Sequence, residues 1–161
     1  MKKNTIICAG FTGVGKTHLI KSNPKLSCME SESSNFTDNR GTNMRLISEE
    51  KSEWPHNYLR HIKNNIGKYD IIFVSTHKEL REALEENNLD YILIYPNIEL
   101  KEEYLERYKN RHSSDDYVKL INRNWDTWVN QLNNENCKKI MLNSNEYLSD
   151  VIDKIFELSE K

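Results

Sequence analysis

Cysteine is scarce in this 161-residue chain, which has only Cys8, Cys28 and Cys137. Their odd number and wide spacing form neither a disulfide framework nor a zinc pattern. That usage suits a reducing, cytoplasmic compartment. No apolar run approaches the ~20 residues needed to span a bilayer. An apolar run already begins at Thr5, so no signal peptide is expected and no membrane partner either. An excess of charge of one sign is also missing, since 23 Lys and Arg stand against 25 Asp and Glu for a net charge of −2. With no basic field, tight nonspecific binding to duplex nucleic acid is not expected, although a local basic groove is compatible with a neutral total. Glycine and proline number only five and three. What remains, 37% hydrophobic and 30% charged residues, is enough for one core under a well-solvated surface. The length implies a single domain over 1–161.

Three of the five glycines fall within eight residues, Gly10-Phe11-Thr12-Gly13-Val14-Gly15-Lys16-Thr17. This stretch matches G-x-x-x-x-G-K-[ST], the P-loop pattern. Glycines permit backbone conformations closed to other residues and bring N–H groups close to an anion. A helix that follows would point its positive end at the same place. Lys16 then stands where a lysine reaches the β/γ-phosphates, and Thr17 where a hydroxyl ligates Mg²⁺. The context agrees. Thr5 to Ala9 reads as a buried strand, and His18 to Ser22 continues a helix that Asn23-Pro24 stops.

Further along, Leu26 to Met29 reads as a short second strand ending at Glu30-Ser31-Glu32. Two acidic residues at such an end can hold Mg²⁺ or orient an attacking hydroxyl; the alternative is an exposed polar loop. Residues 35–52 show no period and read as a mobile surface segment, a possible substrate flap. Within them Asp38-Asn39-Arg40-Gly41 matches D-x-x-G of GTP-binding switches, but no apolar strand precedes it and no N-K-x-D follows, so it is a coincidence. Trp54-Pro55 opens a helix with Tyr58, Leu59, Ile62 and Ile66 inward, ended by Gly67. Tyr69 to Thr76 is the clearest strand, a continuous apolar run suited to a central parallel position. It ends in Ser75-Thr76 where a Walker B strand carries an acid. Thr76 and Glu79 read as a capping box, and Arg81 stands near the strand end. Asp90 to Tyr95 is a fourth strand. Asn97 caps a helix to about Arg111, with Leu100, Tyr104, Leu105 and Tyr108 inward. A long helix to about Asn133 buries Ile121, Trp125, Trp128 and Leu132. Lys139 to Leu142 is a last strand, and a final helix runs through Leu148, Val151, Ile152, Ile155 and Phe156.

Strands alternating with helices argue for an α/β fold: a parallel sheet of about five strands with helices on both faces, in three layers. The loop at 10–17, the Glu-x-Glu after the second strand, the absent Walker B acid and the arginine-rich stretch after the fourth strand resemble the small P-loop kinases, which include nucleoside monophosphate, shikimate and gluconate kinases. The chain is also similar to small phage-encoded P-loop kinases and putative ATPases. The resemblance implies a P-loop NTPase fold and an ATP- and Mg²⁺-dependent phosphotransferase with a nucleoside, nucleotide or other small-molecule acceptor. It implies a short lid over 107–116 with Arg107 and Arg111 closing on the phosphates, and Arg123 as a further candidate. Gly10 to Thr17 would hold ATP, Lys16 would stabilise the transferring group, Thr17 and Glu32 would serve the metal, and Glu30 or Glu32 would orient the acceptor. The acidic pair departs from the Asp-x-Asp usual in the small-molecule kinases. Glu103 and Arg107, at i,i+4, also suit an ordinary surface ion pair. Two other readings stay open: a slow regulatory ATPase working through a protein partner, and a kinase acting on a base or nucleotide in DNA.

Overall fold

The computed structural model describes residues 4–30 and 54–161. Glu32, the Asp38–Gly41 stretch and the segment 35–52 lie outside the described residues. Among the described residues the chain forms β1 (Ile6–Gly10), α1 (Lys16–Ser22), β2 (Cys28–Glu30), α2 (His56–Asn65), β3 (Ile71–Val74), α3 (Lys78–Glu86), β4 (Ile92–Pro96), α4 (Lys101–Asn110, entered by a 3₁₀ turn at Ile98–Leu100), α5 (Asp115–Asn133), β5 (Lys138–Leu142) and α6 (Leu148–Ser159). The strands make one five-stranded parallel sheet in the order β2-β3-β1-β4-β5, with helices on both faces.

Side-chain pattern explains that order. β3 and β4 are buried at every position and β1 at four of five, as central parallel strands require. The edge strands differ. β2 is short and half-buried, and β5 alternates around buried Ile140 and Leu142. From β1 the chain moves to one side of the sheet for β2 and β3, then to the other for β4 and β5. In open α/β sheets the carboxyl end of the strand where this reversal occurs is the usual ligand position, and here the 10–17 loop occupies it.

The chain divides into two compact units, residues 1–9 with 20–91, and 10–19 with 92–161. In the first, β1 pairs in register with β3 (Ile6 with Ile71, Ala9 with Val74) and β2 pairs with β3 from the other side. Thr5 ties the entry to β1: its hydroxyl donates to the Tyr69 carbonyl (2.7 Å) and accepts from the Gly67 N–H (2.8 Å). Tyr58, Leu59 and Ile62 of α2 and Leu80, Ala83 and Leu84 of α3 fill the core.

The second unit pairs β4 with β5 from Ile92–Lys138 to Pro96–Leu142. Its core is aromatic. Phe11 stands edge-on to Trp125 (5.6 Å, 89°) and to Tyr104 (6.4 Å), with Tyr104 and Trp125 themselves 5.5 Å apart. Trp125 is fully buried and donates its indole N–H to the Ile98 carbonyl at 2.7 Å, a core residue as its spacing implies. The α5 stripe is corrected at one position: Val129, not Trp128, completes it with Ile121, Trp125 and Leu132. Both residues satisfy helical spacing, three or four positions after Trp125. In α6 the buried residues are Leu148, Val151 and Ile155, while Phe156 is exposed.

Candidate functional site

The 10–17 loop follows β1 directly and α1 begins at Lys16. Gly13 and Gly15 adopt positive φ (89° and 98°), conformations that would strain any other residue. Gly10 differs: a Cβ there would come within 2.9 Å of Cε of Lys16, whose side chain lies back across the loop and would have to move. Phe11 and Val14 are buried, so these two members of the motif serve the core with their side chains and can offer a ligand only backbone. Thr17 lies exposed in the first turn of α1.

The outer side of the loop is tied at three successive carbonyls. The Tyr108 hydroxyl donates to Thr12 O (2.9 Å), a guanidinium nitrogen of Arg107 to Gly13 O (2.9 Å), and the Leu148 N–H to Val14 O (3.0 Å). Tyr108 also closes the space beside Gly13, where a Cβ would come within 2.9 Å of its ring, and Tyr147 does the same at Gly15 (3.0 Å). Burial pushes the Tyr108 phenol well above its ordinary pKa. Burial outweighs the nearby Arg107 charge and pushes Tyr104 up to about 12. Both phenols therefore stay protonated at neutral pH.

Arg107 and Arg111, four apart on α4, stand in different surroundings. The Arg107 guanidinium lies between the rings of Tyr104 (4.3 Å) and Tyr147 (3.9 Å). Besides Gly13 it donates to the Glu146 carbonyl (3.2 Å) and to the Glu103 carboxylate (3.0 Å). The surface ion pair expected from the i,i+4 spacing is instead largely covered, with 10% of the Arg107 side chain and 24% of the Glu103 side chain exposed. Burial alone would raise the Glu103 pKa. Hydrogen bonds from Ser144 (2.6 Å) and the Asn145 N–H (3.1 Å), with the Arg107 charge, outweigh it and hold Glu103 below its ordinary value. Arg111 is exposed at the C-cap of α4. It donates to the Thr12 hydroxyl (2.9 Å) and to Ser113 (3.1 Å), and Thr12 also bonds the Tyr117 hydroxyl. The 107–116 stretch thus comprises the last turn of α4, a connection at 111–114 with His112 at positive φ, and the first turn of α5, whose N-cap Ser114 accepts from the Tyr117 N–H. Arg123 is exposed on α5.

In the first unit, Glu30 is the exposed last residue of β2. The end of β3 is built differently from its sequence reading. α3 begins one residue later than a Thr76 cap would require, with His77 at its N-cap and no side-chain cap. Instead the Ser75 hydroxyl and Nδ1 of His77 lie 2.7 Å apart, and Nε of Arg81 donates to the Thr76 carbonyl at 3.0 Å. Arg81 is buried, 3% exposed. Burial lowers the His77 pKa; the Glu79 carboxylate opposes that shift and the Arg81 charge adds to it. Sequence reasoning missed His77, Tyr147 and Glu146, because no local pattern marks them.

No protein-family model matches the sequence, and no curated protein matches it. Among solved structures, a gluconokinase from Sinorhizobium meliloti 1021 superposes with a TM-score of 0.54 at 16% identity, over 98% of this chain and 94% of that one. The chain shares that protein's fold. An uncharacterized protein from Eubacterium ventriosum ATCC 27560 is similar at a TM-score of 0.50 and 14% identity, over 98% and 99% of the two chains.

Proposed function

We propose that the protein is an ATP- and Mg²⁺-dependent phosphotransferase acting on a small-molecule acceptor of the nucleoside or nucleotide class. One observation carries the reading: the complete G-x-x-x-x-G-K-T stretch forms a glycine turn between the carboxyl end of β1 and the start of α1, with Lys16 folded across it. The fold shared with a gluconokinase supports it. Phosphoryl transfer asks a protein mainly for positioning and charge stabilisation. In this reading the loop receives the triphosphate, and Lys16 neutralises charge on the group in transfer. Arg111, exposed and held by hydroxyl groups and by the rings of Tyr108 and Tyr117, turns toward that charge. Glu30, or Glu32, orients the acceptor hydroxyl.

The donor set suits Mg²⁺. Among the described residues no cluster of three His, Cys, Asp or Glu side chains forms a cage, and Mg²⁺ at nucleotide sites uses few protein ligands beside phosphate oxygens and water. Thr17 is the hydroxyl that would hold it, with Glu32 as a further donor, and the bound ion would neutralise phosphate charge.

The test is label transfer from γ-labelled ATP with Mg²⁺ to a panel of nucleosides, nucleoside monophosphates, small sugars and single-stranded DNA. Label on one free small molecule, lost in Lys16→Ala, is the expected result. Label on DNA alone, or phosphate release independent of any acceptor, would replace this reading with a DNA-directed kinase or a regulatory ATPase.

A further inference from the structure

We infer that Arg107 is a positioning residue: with Tyr108 and the Leu148 N–H it braces the 10–17 loop from behind and so sets nucleotide affinity without touching phosphate. The inference rests on the reading that this loop receives nucleotide phosphate. In a planar trans peptide the C=O of one residue and the N–H of the next point in opposite directions. Anchoring the carbonyls of Thr12, Gly13 and Val14 therefore aims the N–H groups of Gly13, Val14 and Gly15 the other way. The Val14 N–H closes onto the Phe11 carbonyl at 3.3 Å and fixes the turn. The Gly13 and Gly15 N–H groups are left directed away from the anchors, as an anion-cradling loop needs.

Arg107 is 10% exposed and held through both terminal nitrogens, while its buried Nε has no hydrogen-bond partner among the described residues. Its guanidinium carbon lies over the rings of both Tyr104 and Tyr147, and the group is bonded to Gly13, Glu146 and Glu103. Glu103 in turn grips the 144–145 turn through Ser144 and Asn145. The result is one network joining the loop, α4 and the turn before α6. A planar fork with several fixed donors suits this task better than an ammonium. Arg111 also lies over two rings, Tyr108 (5.0 Å) and Tyr117 (5.8 Å), but it is exposed and, among the described residues, has no carboxylate or carbonyl partner of this kind.

The experiment measures MgATP and MgADP binding by calorimetry for the wild type, Arg107→Met, Arg107→Lys, Glu103→Gln and Tyr108→Phe, with melting temperature to check folding. Amide hydrogen exchange at Val14 is followed without nucleotide. Arg107→Met is expected to weaken ATP and ADP alike by about 10- to 100-fold, the scale of hydrogen bonds to a charged group. Arg107→Lys should recover part of that loss. Glu103→Gln should weaken binding in the same direction by about threefold to tenfold. Combined with Arg107→Met it should add little, because both act through one network. Faster Val14 exchange should accompany each loss. Wild-type affinity in Arg107→Met, or tighter binding in Glu103→Gln through a freed arginine reaching phosphate, would overturn the inference. Should Arg107→Met not fold, Glu103→Gln and Tyr108→Phe decide the matter, since each removes a smaller part of the network. Absence of nucleotide binding by the wild type would overturn the functional reading instead. The exchange data then judge the brace alone, for which unchanged Val14 protection in Glu103→Gln would be fatal.

Discussion

Two turns follow the adjacent parallel strands β1 and β3, and they are held in opposite ways. The turn after β1 takes its anchors from Tyr108, Arg107 and Leu148, far along the chain. The turn after β3 is held by neighbours: Ser75 by His77 and Thr76 by Arg81. A turn supported locally needs only its own segment to form. A turn supported from elsewhere takes its shape only when the tertiary fold is complete, and its ligand-facing side stays clear because the anchors lie behind it. Chemistry that depends on fixed N–H directions belongs to the second kind.

The comparison can be broken at several points. The largest effect is expected for Lys16→Ala, which should cut phosphoryl transfer by about 10²–10³-fold or more with little change in melting temperature; retained transfer would remove the β1 turn from the chemistry. Next is Gly13→Ala. It places a Cβ at φ 89° and 2.9 Å from the buried Tyr108 ring, and should cost about 2–3 kcal/mol in denaturant unfolding while also weakening nucleotide binding. At the other turn, Arg81→Met should cost about 1–3 kcal/mol by stripping the Thr76 carbonyl of its buried donor, with no change in nucleotide affinity. If affinity fell there too, the two turns would not be separable.

A pH effect separates the turns further. His77 has a folded pKa below its ordinary 6.5, so the unfolded chain takes up its proton first as pH falls. The associated stability is complete above about pH 6.5 and declines as pH drops below that value toward the folded pKa. The slope is at most about 1.4 kcal/mol per pH unit for one group. His61, also lowered by burial, contributes in the same sense, so His77→Gln should flatten the acid limb of the stability curve without abolishing it. The smallest stability effect is expected for exposed Arg111→Ala, within about 0.5 kcal/mol. Its turnover should nevertheless fall by more than its nucleotide affinity, a split visible in kcat against KM.

Much of the architecture is legible in the sequence because apolar runs, breakers and the glycine cluster are local signals. The central place of the third strand follows from its wholly apolar run (Ile71 to Val74). What could not be read is what distant surfaces decide. Trp128 and Val129 fit the α5 stripe equally until the partner surface selects Val129. Glu103–Arg107 has the spacing of a solvated pair, and only the Tyr147 ring and the 144–146 turn, some forty positions on, cover it. At Thr76 the capping-box pattern was present, yet the buried Arg81 claimed the Thr76 carbonyl and the helix began one residue later. The loop residues of the candidate site were legible by motif. Their supports were not, since nothing near Tyr108 or Leu148 advertises a bond to the loop.

The long span between the loop and its anchors also has a consequence in time. Gly13 and Arg107 are 94 positions apart, and Thr12 and Tyr108 are 96 apart. Chains are synthesised from the N-terminal end at roughly 5–20 residues per second. The glycine turn therefore leaves the ribosome several seconds before α4 exists to hold it, and waits longer still for Leu148. A nascent chain stopped before α4 would carry the whole motif and still lack its shape, so the part of the protein made among the first is finished among the last.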